Sequence, residues 1–153
     1  MSDDFKGGWT NFYTSDYDSK FKLNGLINRN FCTPVFWTSE DFDAEKIINR
    51  TLEYCHRTTS WLSNPKPKTL KDHILQEQLV SMKVKLSHET DIDFKQLWDF
   101  FLKFKETTEH VTIFNFLYGD NASASLGNKT LGIKEEFAGY KFARYLANKG
   151  IKI

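Results

Sequence analysis

A chain of 153 residues is long enough to bury a core without disulfides or metal, and a net charge of +1 sets up no global field towards nucleic acid or a membrane surface. Its apolar runs fall well short of the ~20 residues needed to cross a bilayer. The N-terminus MSDDFKGGW is acidic and then glycine-rich, unlike a signal peptide, so a cytoplasmic protein is expected, in the host cytoplasm or a virion if viral.

Aromatic residues make up 16% of the chain, which supplies large buried area from few side chains and leaves rings over for an interface. Cys32 and Cys55 are too few and too isolated for a disulfide framework or a zinc knuckle, and read as two reduced, mostly buried thiols. Heavy use of Lys, Asn, Ile and Phe matches AT-rich coding genomes, such as those of many phages and low-GC bacteria.

The first 37 residues read as β-rich. WTNFYTSDY combines strand formers with turn residues, and Asn24-Gly25 between two short apolar runs predicts a type I′ hairpin. Phe31 to Trp37 is apolar but carries Pro34, which suits an edge strand or an extended connection. At Thr38-Ser39-Glu40-Asp41 the pattern turns helical, and Phe42, Ile47, Ile48, Leu52, Cys55 and Trp61 recur near the 3.6 period until SNPKPK stops the helix near Leu62. That tract is the clearest breakpoint, yet too short to separate domains, so a single globular domain over 1–153 is expected.

Thr69 is placed to cap a second helix with Leu70, Ile74, Leu75, Leu79, Met82 and Leu86 on one side and Lys71, Gln76, Glu77, Lys83 and Lys85 mostly on the other. Asp91 or Asp93 can cap a third, carrying Phe94, Leu97, Trp98, Phe101 and Phe104, whose apolar positions run so far round that it should be the most buried helix. His110 to Tyr118, HVTIFNFLY, reads as a central strand covered on both faces, followed by GDNASASLGNKTLG as a loop. A fourth helix from about Lys134 to Asn148 ends at Lys149-Gly150, and Ile151 and Ile153 add a short strand. The expected fold class is α+β: about four helices packed on a small sheet made of an N-terminal hairpin and a central strand near residues 110–118.

The triplet His-x-Thr occurs at His56-Arg57-Thr58, His88-Glu89-Thr90 and His110-Val111-Thr112. Two such triplets facing across a cleft resemble the arrangement of 2H phosphoesterases, which implies histidines as general acid and base and threonines on the phosphodiester oxygens. His110, Thr112, His56 and Thr58 are the catalytic candidates on that resemblance. It departs from the family in that only His110 falls in an expected strand; on a helix, residues two apart diverge by about 200°.

No H-x-x-x-H, H-E-x-x-H or C-x-x-C spacing is present, and neither a metal nor a cofactor is expected. Glycines and hydroxyls ahead of a helix give the loop after the central strand the look of a phosphate cradle, although both glycine-loop motifs are missing; Asp120 and Asn121 are its binding candidates. Lys141 and Arg144, with Lys134 and Lys149, make the nearest approach to a basic stripe, interrupted by Glu135 and Glu136. Trp9 and Trp37 are candidate aromatic anchors.

The leading expectation is a non-catalytic protein-interaction or assembly protein, a viral or phage structural or host-directed accessory component, with a protein partner or homo-oligomer and no membrane. A small two-histidine phosphoesterase-like hydrolase and a nucleic-acid-binding accessory factor are the alternatives.

Overall fold

The computed structural model describes residues 11–22, 31–84 and 92–153; 65% of these are helical, and among them is no strand, only an isolated bridge at Trp37. The expected α+β fold with its sheet is thus corrected to a helical one. The helices are α1 Phe12–Phe21, α2 Ala44–Ser63, α3 Leu70–Val84, α4 Phe94–Phe104, α5 His110–Tyr118, α6 Asp120–Ser125 and α7 Ala138–Lys149. The chain divides into two compact units, Met1–Lys66 and Pro67–Ile153, at the proline tract that the sequence marks as its breakpoint. Trp9, the Asn24-Gly25 turn, His88 and Asp91 lie outside the described residues.

In the first unit, the stretch taken for strand formers is helical because Asn11 accepts the Thr14 amide at 3.2 Å and so caps α1. Phe31 to Phe36 is irregular, with neither helix nor strand. α2 begins later than the acidic run at 38–41 suggests, with Asp43 as its cap, accepting from the Lys46 amide at 2.7 Å. Glu40 is taken by Arg50 instead of serving the first turn. The helix ends at Ser63, just before two prolines that cannot continue it.

The second unit is organised around α5. HVTIFNFLY is a helix whose residues from Thr112 to Tyr118 are all buried, so β-branched and aromatic side chains that favour a strand in isolation here serve a helix enclosed on every side. It begins after Glu109 in extended backbone and stops at Gly119, whose φ is 87°. The supposed loop starts with a further turn of helix, α6, and only then becomes irregular.

Most of the expected signals at helix ends are present. Thr69 and Asp72 cap each other at the start of α3, the Asp72 amide donating to the Thr69 hydroxyl at 3.1 Å and the Thr69 amide to the Asp72 carboxylate at 2.9 Å. Burial works against the Asp72 charge, but the amides of Thr69 and Lys68 outweigh it and hold the carboxyl below its ordinary value. Asp93 caps α4 through the Gln96 amide at 3.0 Å.

α7 starts at Ala138, not Lys134, because Phe137 takes a left-handed backbone with its amide on the Tyr118 carbonyl. Its end is a Schellman motif: Ile151 donates to Leu146 and Gly150 to Ala147, so the last residues close a helix and do not form the expected strand.

The core of this unit is aromatic. Phe142 of α7 lies 5.7 Å from Phe94 and 5.6 Å from Phe101, both on α4, and meets Phe116 of α5 edge-on at 5.6 Å. α4 is not the most buried helix: only Leu97 and Phe101 are fully covered, and that place belongs to α5. α3 also departs from its expected faces, since Gln76, Glu77 and Gln78 are buried while Leu79 and Met82 are exposed.

Candidate functional site

α2 is built with its apolar side outward. Ile48, Leu52 and Leu62 are 58%, 41% and 57% exposed, with Cys55 and Thr59 exposed between them. At 100° per residue, Ile48, Leu52, Cys55, Thr59 and Leu62 fall within an arc of about 80°. Ile47 flanks this stripe and is also exposed. One exposed leucine is ordinary, but a line of aliphatic side chains along 20 residues of helix is a surface that water disfavours.

The opposite face of α2 carries the residues that tie it to its own unit. Arg50 forks onto Glu40, with Nη2 at 2.8 Å from Oε1, while its guanidinium lies 5.8 Å from the Phe36 ring and 5.4 Å from the Phe42 ring. Burial opposes the arginine charge, and Glu40 outweighs it, so the guanidinium is held above its ordinary value. One turn on, the Tyr54 and Ser19 hydroxyls lie 2.7 Å apart, which joins α2 to α1. Burial, with the nearby Asp16 charge, pushes Tyr54 up to about 12, so the phenol stays neutral and hydrogen-bonding.

Arg57 is buried and lies 5.6 Å from the Tyr54 ring. Asp16 pairs with Lys20 at 2.7 Å, four residues along α1. The inner face of α2 is therefore held by polar and aromatic groups, and its aliphatic residues remain outside.

The thiols differ from expectation in the same way: Cys55 is exposed and Cys32 only half-buried. Burial pushes the Cys32 thiol up, although a hydrogen bond with Thr58 draws it down; its side chain also bonds to Cys55.

Within its own triplet, His110 is not arranged with its threonine as the resemblance requires. His110 is exposed at the start of α5. Thr112, two residues on, is buried and donates to the Glu109 carboxylate, so the pair diverges around the helix. His56 and Thr58 are on α2, in the other compact unit, and His88 is not among the described residues.

The imidazole that His110 does influence is His73, which the sequence offers, with Asp72, only as a possible metal ligand. His73 is buried on α3, and its Nδ1 donates to the Thr69 carbonyl at 2.8 Å. Burial holds its pKa below the ordinary value, and the His110 charge lowers it further, against the raising effect of Thr69, Glu77 and Asp72.

The sign of the pH effect follows. Folded His73 resists a proton that the unfolded ring accepts near pH 6.5, so stability present above that pH is lost as pH falls through the lower folded value. Urea midpoints measured from pH 7.5 down to 5.5 should decline, and the His73→Gln variant should decline less steeply. Parallel curves would remove His73 as the source.

The remaining candidates have structural employment. Asp120 accepts the Leu131 amide at 3.0 Å, the Gly132 amide at 3.1 Å and the Asn115 side chain at 3.0 Å, so its carboxylate pins the segment after α6. Asn115, fully buried, also donates to Ser123 at 2.9 Å. Asn121 is exposed and donates to Glu136 at 3.3 Å. Lys141 is paired with Glu135, and Arg144 is half-buried with its Nε in the interior, which leaves Lys134 and Lys149 as the exposed cations of the expected basic stripe. Trp37 is 1% exposed and packs 4.9 Å from Phe12, a core ring and not a surface anchor.

Among the described residues, no group of three His, Cys, Asp or Glu side chains could hold a metal ion, and no helix is long and apolar enough to cross a membrane. Comparison of the chain with protein-family models, with curated proteins and with solved structures finds no match.

Proposed function

We propose that this protein works by docking to another protein, in an interaction or assembly role, and that the outer face of α2 is the surface it uses. The observation that supports this is the inverted helix: Ile48, Leu52 and Leu62 face outward while Arg50, Tyr54 and Arg57 face the unit's interior. Complete burial of an aliphatic side chain is worth about 1.5–3 kcal/mol, so covering this face favours association. The hydrolase reading draws less support, because His110 and Thr112 sit on a helix and point apart. The nucleic-acid reading is weakened by the pairing of Lys141 with Glu135.

The test compares the wild-type protein with a Leu52→Asp/Leu62→Asp variant as bait. Both positions are exposed, so helical circular dichroism should be unchanged. Proteins, including further copies of the chain, retained by the wild type and lost with the variant are the expected result. Equal retention by both baits would sink the proposal.

A further inference from the structure

We infer that the occupant of this face is a second copy of the same chain, with the two α2 helices packed antiparallel. The inference rests on the docking reading above and adds the identity and orientation of the partner.

Spacing is the first argument. Ile48, Leu52, Cys55, Thr59 and Leu62 follow intervals of four, three, four and three residues, the repeat of a coiled-coil seam, and all five are exposed. An ordinary core-facing helix has a wider apolar sector that its own domain covers. Here the narrow seam is exposed, with Cys32 touching it at Cys55, and the wide inner sector is already engaged through Arg50 and Tyr54.

Charge is the second. Between Ile48 and Leu62, the positions flanking the seam are Asn49, Thr51, His56 and Thr58, with no Lys, Arg, Asp or Glu among them. Seams that select a different partner usually carry complementary charges at those positions. Two identical helices lacking them can approach without like charges meeting, which suits self-association.

Orientation follows from the helix ends. The N-terminal end of α2 carries exposed Asp41, Asp43 and Glu45, with Lys46 as the one cation beside them; the C-terminal end carries exposed Lys66. A parallel pair would set the acids side by side and align the helix dipoles. An antiparallel pair turning about a point near Cys55 brings Glu45 of one copy towards Lys66 of the other and opposes the dipoles.

Size sets the strength. A helix of 20 residues is about 30 Å long and about 10 Å across. By that outline such a strip covers about 300 Å² on each copy and about 600 Å² in all, below the ~1,200 Å² of standard specific interfaces, so the dimer is weak, exchanges with monomer, and its population depends on concentration.

The experiment uses the full chain. Sedimentation velocity over a wide concentration range should show a monomer–dimer equilibrium, and Leu52→Asp should weaken it by at least about 100-fold, since the substitution acts twice in a symmetric pair. Orientation is read in a Cys32→Ser/Cys55→Ser background with a short bis-maleimide. Ile48 and Leu62 are 14 positions apart, about 21 Å along a helix, beyond the reach of the reagent.

A mixture of the Ile48→Cys and Leu62→Cys variants should cross-link, and neither variant should cross-link alone. Cross-linking of each variant alone, or a monomer at every concentration, overturns the inference. If the chain stays monomeric while a different protein is captured through Leu52 and Leu62, the second copy is excluded and the docking reading stands. If nothing depends on this face, both fall.

Discussion

Replacing Phe142 by alanine is expected to destabilise the protein by about 3–5 kcal/mol, the usual cost of truncating a fully buried phenylalanine. Phe142 is 0% exposed and is the ring on which three helices converge: Phe94, Trp98 and Phe101 of α4 and Phe116 of α5 all lie around it. Truncation forfeits both the transfer energy and the edge-on contact with Phe116, worth a further ~0.5–1.5 kcal/mol for an aromatic pair. The cavity would be walled by rings on separate helices, which cannot collapse without moving backbone. Urea unfolding followed by circular dichroism measures the loss. Phe142→Leu, which keeps most of the volume, should recover more than half of it; a loss below 1.5 kcal/mol for the alanine variant would show that the cluster is not the keystone described above.

Gly119→Ala is expected to be nearly as damaging, although it adds only one carbon. Gly119 joins α5 to α6 with φ at 87° and ψ at 177°, a region essentially confined to glycine, where an L side chain costs about 1–3 kcal/mol in backbone strain alone. A Cβ there would overlap the carbonyl oxygen of Glu135 and come within 3.3 Å of the Ile133 carbonyl oxygen, both backbone atoms with little freedom to retreat. Gly127 supplies the control: its φ is 70°, but a Cβ would meet nothing within 4 Å. Strain without collision should cost Gly127→Ala about 1–2 kcal/mol, and Gly119→Ala should exceed it by at least ~2 kcal/mol. Equal midpoints in a thermal or urea melt would place the whole effect in φ and none in the crowding.

The helix boundaries set by local chemistry were the most legible part of the fold. Thr69, Asp93 and the pair Lys149-Gly150 each act through hydrogen bonds within a few residues of sequence, and such signals survive whatever the rest of the chain does. The run His110 to Tyr118 was not legible in the same way. A short apolar stretch with both faces hydrophobic fits a strand between two layers and a helix buried all round equally well, and β-branched content tipped the reading towards the strand. The glycine closing it and the small residues of DNASAS were the available signals for a helix followed by a second short one.

The faces of α2 and α3 were hidden for a related reason. Periodicity locates an apolar stripe but does not say which way it points. In α2 the stripe was found correctly at Ile48, Leu52 and Cys55, yet it faces water, because Arg50, Tyr54 and Arg57 bring hydrogen bonds and ring contacts that hold the other side inward. The burial of His73, which holds its pKa down, was equally out of sight.

The exposed sulfur of Cys55 gives the molecule a built-in reporter. It stands in the middle of the outward stripe, so whatever settles there shields it from alkylation, and the rate at which iodoacetamide labels it measures how often the face is open. Occupancy can thus be followed by mass spectrometry on the unaltered chain, in a crude mixture, without a tag or a dye.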